Sequence, residues 1–227
     1  MATNKELQTP SALEQAELDY YLAAIESFKA ERKKYAAEAE FLTLEAEDRR
    51  RSLKWARSRA RERRVFDFVG EVSEQLVRDA VDEINDWAAV SKDPITIRLN
   101  SPGGGIFDGL MFYDFLREIQ KEGITVITHC IGYAASMASI ISQAGTVRRI
   151  SKHSWFMVHE PSSFSWGKMS DMKDEAELLK KLHKQLMSIL AERSILTEKQ
   201  ITERCARRDW WLSAEESIHF GFFDELV

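Results

Sequence analysis

Hydrophobic side chains in the first part of the chain follow a helical period. Between residues 18 and 46 they recur at alternating steps of three and four residues, with a single break at Arg32. This spacing is typical of a coiled-coil helix, because it places the apolar side chains along one stripe. We call this stripe the seam; its members are Leu18, Tyr21, Ile25, Phe28, Tyr35, Ala39, Leu42 and Ala46. The pattern predicts one long helix or a helix pair over residues 1–64, with a seam that needs a partner.

The composition of residues 1–64, which we call the arm, agrees with this prediction. The arm contains no glycine and one proline, Pro10, after which Ser11 and Glu14 have the spacing of a capping box at a helix start. Its last part, residues 49–64, carries nine basic residues against one acidic residue, Glu62. Such a run either contacts phosphates or an acidic protein or is a solvated helix end. We favour the solvated end, because no recognition motif accompanies the charges.

From Val65 onward the hydrophobic pattern changes to alternating strands and helices. Residues 95–100 alternate strictly between apolar and polar side chains, as in a strand with one buried face. Strands are predicted at 65–72, 95–100, 125–130 and 154–160, and helices at 73–87, 107–122 and 171–193. Because strand and helix alternate with short links, the pattern predicts an α/β domain over 65–227 with much parallel sheet.

Charge and cysteine content narrow the class of protein. The net charge of −5 gives no support to nucleic-acid binding by the whole molecule. The two cysteines, Cys130 and Cys205, form neither a disulfide framework nor a CxxC metal motif. No apolar run approaches the roughly 20 residues of a membrane span, and the first residues lack the apolar core of a secretory signal. We therefore expect a cytoplasmic protein without a metal, a cofactor or a membrane segment, and we do not expect nucleic acid as a partner.

Three loops follow predicted strands, where α/β proteins place their sites: SPGGG at 101–105, GYAASM at 132–137 and HEPSS at 159–163. Ser136 in the second loop would open a helix, where free N–H groups and the positive end of the helix dipole could stabilise an oxyanion. The alternative is that Ser136 only caps that helix, and spacing alone favours the cap. Ser139, one turn further on, is expected to be packed.

His159 and the glycine loop supply the other groups that a nucleophilic serine requires. His159 ends an apolar strand 23 residues after Ser136, so the chain between them could return it to the same edge of the sheet. The alternative is a hydrogen-bonded histidine at a strand end. Adjacent glycines expose backbone N–H groups that bind anions or a peptide backbone, although a plain turn has the same composition. A carboxylate to orient the histidine cannot be selected by spacing.

Four motifs, taken together and in order, resemble the proteolytic subunit of the caseinolytic protease family, ClpP. The resemblance covers residues 65–227. The motifs are NSPGG at 100–104, GYAASM at 132–137, MVHEP at 157–161 and RRDWWLSAEESIHFGFFDEL at 207–226. The family implies a fold of stacked ββα units, which it shares with the crotonase type of acyl-CoA enzyme.

The resemblance also implies roles for individual residues. Ser136 would be the nucleophile, His159 the general base and Asp209 the orienting acid, whereas Asp224 would be structural. The backbone N–H groups of Gly104 and Met137 would form an oxyanion hole. Residues expected to bind the substrate are Gly103, Gly105, Pro161, Ser162 and Ser163.

The implied function is a serine endopeptidase that acts through an acyl-enzyme inside an oligomer of stacked rings, with no metal or nucleotide needed for the chemistry. Its substrate would be a peptide or unfolded protein, and its partner an AAA+ unfoldase or a capsid or scaffold protein. Three features depart from the family: the segment between Ser136 and His159 is about two residues shorter, SSFSW at 162–166 replaces a pair of glycines, and the arm replaces a short N-terminal loop. We expect the arm to mediate assembly or to recruit a partner. The alternatives are a virus-type maturation protease without an ATPase, a crotonase-like acyl-CoA-binding protein and a non-catalytic ring.

Overall fold

The computed structural model describes residues 12–162 and 168–227, which fall into two compact units that divide between Ser58 and Arg59. The described part of the first unit belongs to helix α1, Ala12–Arg63, a single helix of 52 residues whose last five residues fall in the second unit. The prediction of one long helix in the arm is therefore confirmed, and the alternative of a helix pair is not what the structure shows. Pro10 and Ser11 lie outside the described residues. None of the helices in the described ranges is both long and apolar enough to cross a membrane.

The second unit alternates strands with helices, as the hydrophobic pattern predicts. Its strands are β1 Val65–Val69, β2 Ile95–Ser101, β3 Val126–Ala135, β4 Val147–Ile150, β5 Trp155–Val158, β6 Trp210–Ser213 and β7 Glu225–Leu226. Its helices are α2 Glu74–Val90, α3 Ile106–Lys121, α4 Met137–Ser142, α5 Met169–Glu192, α6 Glu198–Cys205 and α7 Ala214–His219. The α/β class is confirmed.

The sheet is mostly parallel, with strand order β1-β2-β3-β4-β7. Strand β3 is long enough to have two partners on one side. Its first half, Ile127–Cys130, pairs with β4, and its last residues, Tyr133–Ala135, pair with β5. Strand β5 also pairs with β6, and this pair is the antiparallel exception in the sheet. The C-terminal ends of β3 and β5 and the beginning of β6 are therefore held side by side.

Alternating burial along the strands creates the core. Ile95, Ile97 and Leu99 of β2 are fully buried, whereas the residues between them are not. Phe68 of β1 stacks on Phe112 of α3 with ring centroids 5.2 Å apart. Aromatic pairs of this kind stabilise the fold by about 0.5–1.5 kcal/mol more than the burial of their apolar surface alone. Helices α2 and α3 thus cover the part of the sheet that leads to the glycine loop.

Strand β3 is longer than the sequence predicts. The predicted strand ends at residue 130, with the GYAASM segment opening a helix, but β3 continues through Ala135 and α4 begins only at Met137. Gly132 permits the extension, because it has a positive φ of 86° and donates its N–H to Ser154 Oγ. A residue with a Cβ at this position would contact the Asn100 side chain at 2.8 Å.

A half-buried ion pair between Arg148 of β4 and Asp224, the residue before β7, holds the last strand of the chain against β4. The Arg148 side chain is only 5% exposed, and its guanidinium donates to both carboxylate oxygens of Asp224, at 2.5 and 3.1 Å. Arg148 also donates to the side-chain oxygen of Gln143. Partial burial raises the pKa of the Asp224 carboxyl, but the hydrogen bonds and charge of Arg148 outweigh that effect, so its pKa lies below the usual value.

Replacing Asp224 by Asn should lower the free energy of unfolding at neutral pH by about 2–4 kcal/mol, because it leaves the Arg148 charge uncompensated. A depressed folded-state pKa stabilises the fold above the unfolded pKa, and this stabilisation is lost as pH falls through the folded pKa. The difference between wild type and Asp224→Asn should therefore shrink in acid. Urea unfolding at a series of pH values measures it.

Glu225→Gln is the matched control for this experiment. It removes the carboxylate of the neighbouring Arg149–Glu225 pair, whose side chains are both more than a third exposed. An exposed pair contributes up to about 1 kcal/mol. An equal loss of stability in both variants, or a loss in Asp224→Asn that does not change with pH, would contradict a stabilising role for the Arg148–Asp224 pair.

Candidate active site

Ser136 lies in the sharp connection between β3 and α4. Its φ of 55° and ψ of −123° form a backbone conformation that few residues other than glycine adopt, at a cost of about 1–3 kcal/mol. The surrounding sheet supports this strain, because the N–H of Ser136 donates to the carbonyl of Met157 in β5 at 3.0 Å. The strained turn directs the hydroxyl away from the helix. The cap that spacing favours is therefore wrong, since the Ser136 side chain accepts no hydrogen bond from α4.

The Ser136 hydroxyl instead contacts a histidine. Ser136 Oγ lies 2.7 Å from Nε2 of His159, the first residue after β5. The other ring nitrogen, Nδ1, lies 3.3 Å from Oδ1 of Asp209. When the proton is on Nδ1, Nε2 accepts from the serine hydroxyl and Nδ1–H points towards the carboxylate. The three side chains implied by the family resemblance are thus brought into one line of contacts.

Strand pairing explains how Asp209 reaches His159 from 50 residues further along the chain. In the antiparallel β5–β6 ladder, Val158 is opposite Trp210. The residue after Val158 and the residue before Trp210 are therefore neighbours. Arg207 has a left-handed φ of 58° between the end of α6 and β6. More than half of the Asp209 side chain remains exposed in the single chain.

The glycine loop after β2 lies against the serine. A Cβ built on Gly103 would be only 2.6 Å from Ser136 Cβ and 2.8 Å from the backbone nitrogen of Met137. Gly104 forms a parallel bridge with Val72, in which Val72 N–H donates to Gly103 and Gly105 N–H donates to Val72. Because the neighbours of Gly104 make these bonds, its own N–H is not used in the bridge. Met137 opens α4, so its N–H has no partner within the helix.

A pocket of about 300 Å³ joins these groups. Of the residues expected from the resemblance, it is lined by Gly103, Gly104, Ser136, Met137, His159, Pro161 and Ser162. Gly105 is not part of this lining, and its amide is already bonded to the Val72 carbonyl, so the expectation that Gly105 binds substrate finds no support in the structure. Ser163 lies outside the described residues.

The other lining residues of the pocket were not predicted from the sequence. They are Glu71, Pro102, Ile106, Ser139, Ile140, Val158, Leu186 and Met187. Leu186 belongs to the apolar stripe of α5, so hydrophobic periodicity predicts its burial but not its place in the wall of a site. Ser139 is buried as expected, and its hydroxyl donates to the carbonyl of Ser136 at 2.6 Å. In the described parts of the chain, no three His, Cys, Asp or Glu side chains are grouped to hold a metal ion.

A serine, a histidine and an aspartate in contact beside free backbone amides are the arrangement found in serine hydrolases. Comparison with known proteins identifies the family within that class. The family model for Clp protease matches residues 46–227, a match that begins within the arm.

Relatives from three bacteria agree with the family match. Subunit 3 of the ATP-dependent Clp protease proteolytic subunits of Rhodococcus jostii is 35% identical over 167 residues, which cover 72% of this chain and 81% of the relative. Subunit 2 of Chlamydia trachomatis serovar D is 35% identical over 175 residues, covering 75% and 83%. The subunit of Bacteroides fragilis is 37% identical over 142 residues, covering 60% and 67%. The chain therefore belongs to the Clp protease family and is a serine peptidase.

Replacing Gly103 by Ala should reduce peptide hydrolysis by about a hundredfold or more. The added methyl group would overlap Ser136 Cβ and the carbonyl oxygen of Ala135 at 2.7 Å, so the serine must move. Misplacement of a reacting group by about 1 Å costs on the order of a hundredfold in rate. The measurement is kcat/KM for a fluorogenic peptide, with circular dichroism to verify folding.

Gly123→Ala provides the matched control. Gly123 also has a positive φ, of 87°, but a Cβ there meets nothing within 4 Å. This variant therefore carries a comparable backbone strain without a clash at the site, and its kcat/KM should stay near that of wild type. Equal losses of activity in both variants would show that backbone strain, and not contact with Ser136, causes the defect.

Proposed function

We propose that this peptidase is an endopeptidase that uses Ser136 as the nucleophile, His159 as the general base and Asp209 as the orienting acid. The observation that carries the proposal is the line of contacts from Ser136 Oγ to His159 Nε2, at 2.7 Å, and from His159 Nδ1 to Asp209, at 3.3 Å. A serine hydroxyl is a weak nucleophile on its own and requires such a base.

In the proposed reaction, Ser136 Oγ attacks the carbonyl carbon of the scissile peptide bond and its proton passes to His159 Nε2. The resulting oxyanion accepts hydrogen bonds from the N–H groups of Gly104 and Met137. The C–N bond then breaks, the leaving amine takes the proton from Nε2, and the acyl group stays on Ser136. A water molecule then attacks the carbonyl carbon of this ester and gives a proton to His159 Nε2. The bond between the acyl carbon and Ser136 Oγ breaks, Oγ takes the proton from Nε2, and the carboxylic acid leaves. Asp209 keeps the imidazole in the required tautomer throughout.

The walls of the pocket suit an extended peptide. Gly103, Pro161 and Ser162 line the pocket together with Ser136, and none of them carries a long side chain that would block an extended backbone. We assign peptide or unfolded-protein substrates to this groove, because folded surfaces rarely offer an extended segment.

We further propose that the chain assembles with copies of itself into stacked rings. In the single chain, Met169, Met172 and Leu178 of α5 are all exposed, as is Ile195. Exposed apolar side chains in this number favour burial between subunits. The relatives are named as subunits of ATP-dependent proteases, which is consistent with delivery of substrates by an AAA+ unfoldase. A capsid or scaffold protein is the alternative source of substrate, since the arm differs from a short N-terminal loop.

The arm supplies a second candidate assembly surface. Each described large side chain of the seam is at least half exposed in the single chain, including Ile25, Phe28 and Leu42. A helix as long as α1 gains most of its stability from packing an apolar stripe against a partner. We propose that the seam binds another copy of the arm or a partner protein.

A fluorophosphonate probe should modify Ser136 and no other residue, because only an activated serine displaces the fluoride. His159→Ala should abolish the labelling, and Asp209→Asn should slow turnover by about a thousandfold or more while the fold is retained. Intact-protein and peptide mass spectrometry locate the adduct, and a fluorogenic peptide reports turnover.

His153→Ala is the matched control for the labelling experiment, because His153 is an exposed histidine that does not line the pocket. It should label at the wild-type rate. An adduct on another serine, or labelling that persists in His159→Ala, would overturn the assigned roles.

Introducing charge into the seam should reduce the mass of the oligomer. The full-length double variant Ile25→Glu/Leu42→Glu places two carboxylates in the seam, whereas Tyr20→Glu/Leu44→Glu alters two exposed apolar residues outside it. Sedimentation velocity should show a smaller species for the first variant only. An unchanged mass for both would exclude the seam as a contact between copies and leave recruitment of another protein as its role.

A further inference from the structure

Glu71 lies beside the candidate oxyanion hole. It follows β1 by two residues and lines the same pocket as Ser136 and His159. A Cβ built on Gly104 would be 2.8 Å from Glu71 Cγ, so the glutamate stem rests against the glycine loop. Because the proposed reaction places the scissile carbonyl at the N–H of Gly104, the Glu71 side chain borders the part of the pocket in which the cleaved bond would lie.

The charge of Glu71 is not neutralised within the described chain. Among the described lining residues, Glu71 is the only carboxylate, and no lysine or arginine lines the pocket. Two other exposed acids of this unit differ in this respect: Glu74 pairs with Arg78, and Glu122 with Lys92 at 3.0 Å. No ion pair or hydrogen bond joins the Glu71 side chain to another residue in the parts of the chain that the structure describes.

Several of the other residues that line the pocket have aliphatic side chains. Ile106, Ile140, Leu186 and Met187 line it, and Leu186 and Met187 are almost fully buried. A wall of aliphatic groups with one carboxylate matches a side chain with an apolar stem and a cationic end. Lysine and arginine have this construction, and they bury the stem while keeping the charge near a polar group.

We propose that Glu71 is a specificity-determining residue that favours substrates with a lysine or arginine next to the scissile bond, on one side or the other. The proposal rests on the proposed endopeptidase function. The alternative is a solvated surface carboxylate without influence on substrate choice.

The expected preference is modest, because Glu71 is exposed. An exposed ion pair contributes little free energy to binding. We therefore expect kcat/KM for the lysine peptide to be about two- to fivefold higher than for an uncharged analogue. The preference should decrease as salt rises from about 0.05 to about 0.5 M, since ions screen exposed charges.

Pairs of peptides that differ by lysine or norleucine at one position, on either side of the scissile bond, test the proposal. Norleucine has an aliphatic stem of similar length without the ammonium group. With the full-length wild-type protein, the lysine peptide should have the higher kcat/KM, with the cleavage position verified by mass spectrometry. Glu71→Gln should bring the ratio of the two peptides to about one. Glu71→Lys should reverse it in favour of a glutamate peptide over its glutamine analogue.

Glu118→Gln is the control for the loss of one negative charge. Glu118 is an exposed residue of α3 outside the pocket, so its variant should keep the wild-type ratio. A merely structural role for Glu71 would change kcat/KM for both peptides equally and would not respond to charge reversal. A ratio that is the same in wild type and Glu71→Gln, or one insensitive to salt, overturns the proposal.

Binding to the full-length Ser136→Ala protein separates this inference from the function on which it rests. Fluorescence anisotropy with the lysine and norleucine peptides measures the same preference without chemistry. Tighter binding of the lysine peptide that disappears in Ser136→Ala/Glu71→Gln supports Glu71 even if wild type cleaves neither peptide. Equal binding of both peptides refutes it even if wild type is an active endopeptidase.

Discussion

The double pairing of β5 is the constraint on which the candidate site depends. On one side β5 runs parallel to the end of β3, and this pairing ties the strained Ser136 backbone to Met157. On the other side it runs antiparallel to β6, and this register places the residue before Trp210 beside His159. A four-residue strand thus positions three side chains from distant parts of the chain. Any shift of its register by one residue would reverse the faces and separate them.

The strain at Ser136 and the close approach of Gly103 belong together. A positive φ raises the hydroxyl out of the helix start, and the missing side chain of Gly103 leaves the space into which the turn fits. The cost of about 1–3 kcal/mol is offset by a core in which Phe68, Ile97 and Leu116 are fully buried. The same small residues that spacing associates with a helix cap therefore hold a serine away from capping geometry. Local propensity and tertiary pairing conflict here, as is common where a rigid site is built.

Sequence patterns predicted the elements well where one face is buried. The alternation of β2 and the helical stripe of α5 follow directly from burial, so their positions could be read from hydrophobic spacing. The length of β3 could not, because its last residues are small and owe their extended form to pairing with β5 and to Gly132. Spacing also could not identify Asp209, since the β5–β6 register is a long-range contact; only the family resemblance pointed to it. Neither hydrophobic spacing nor the family resemblance indicated Glu71, because a single exposed glutamate is not part of any periodic pattern.

The two units of the chain are stabilised by different physical means, and this difference bears on how each can interact with other molecules. The unit from Arg59 to Val227 buries its own apolar side chains around its sheet, so its site can be assembled within one chain. Helix α1 leaves large apolar side chains in water along its length, among them Tyr35 and Phe41. A helix exposed in this way has little to hold it beyond local hydrogen bonds. The geometry around Ser136, by contrast, depends on strand pairing inside the sheet. The residues that line the pocket all belong to the second unit, so its geometry does not require the exposed stripe of α1.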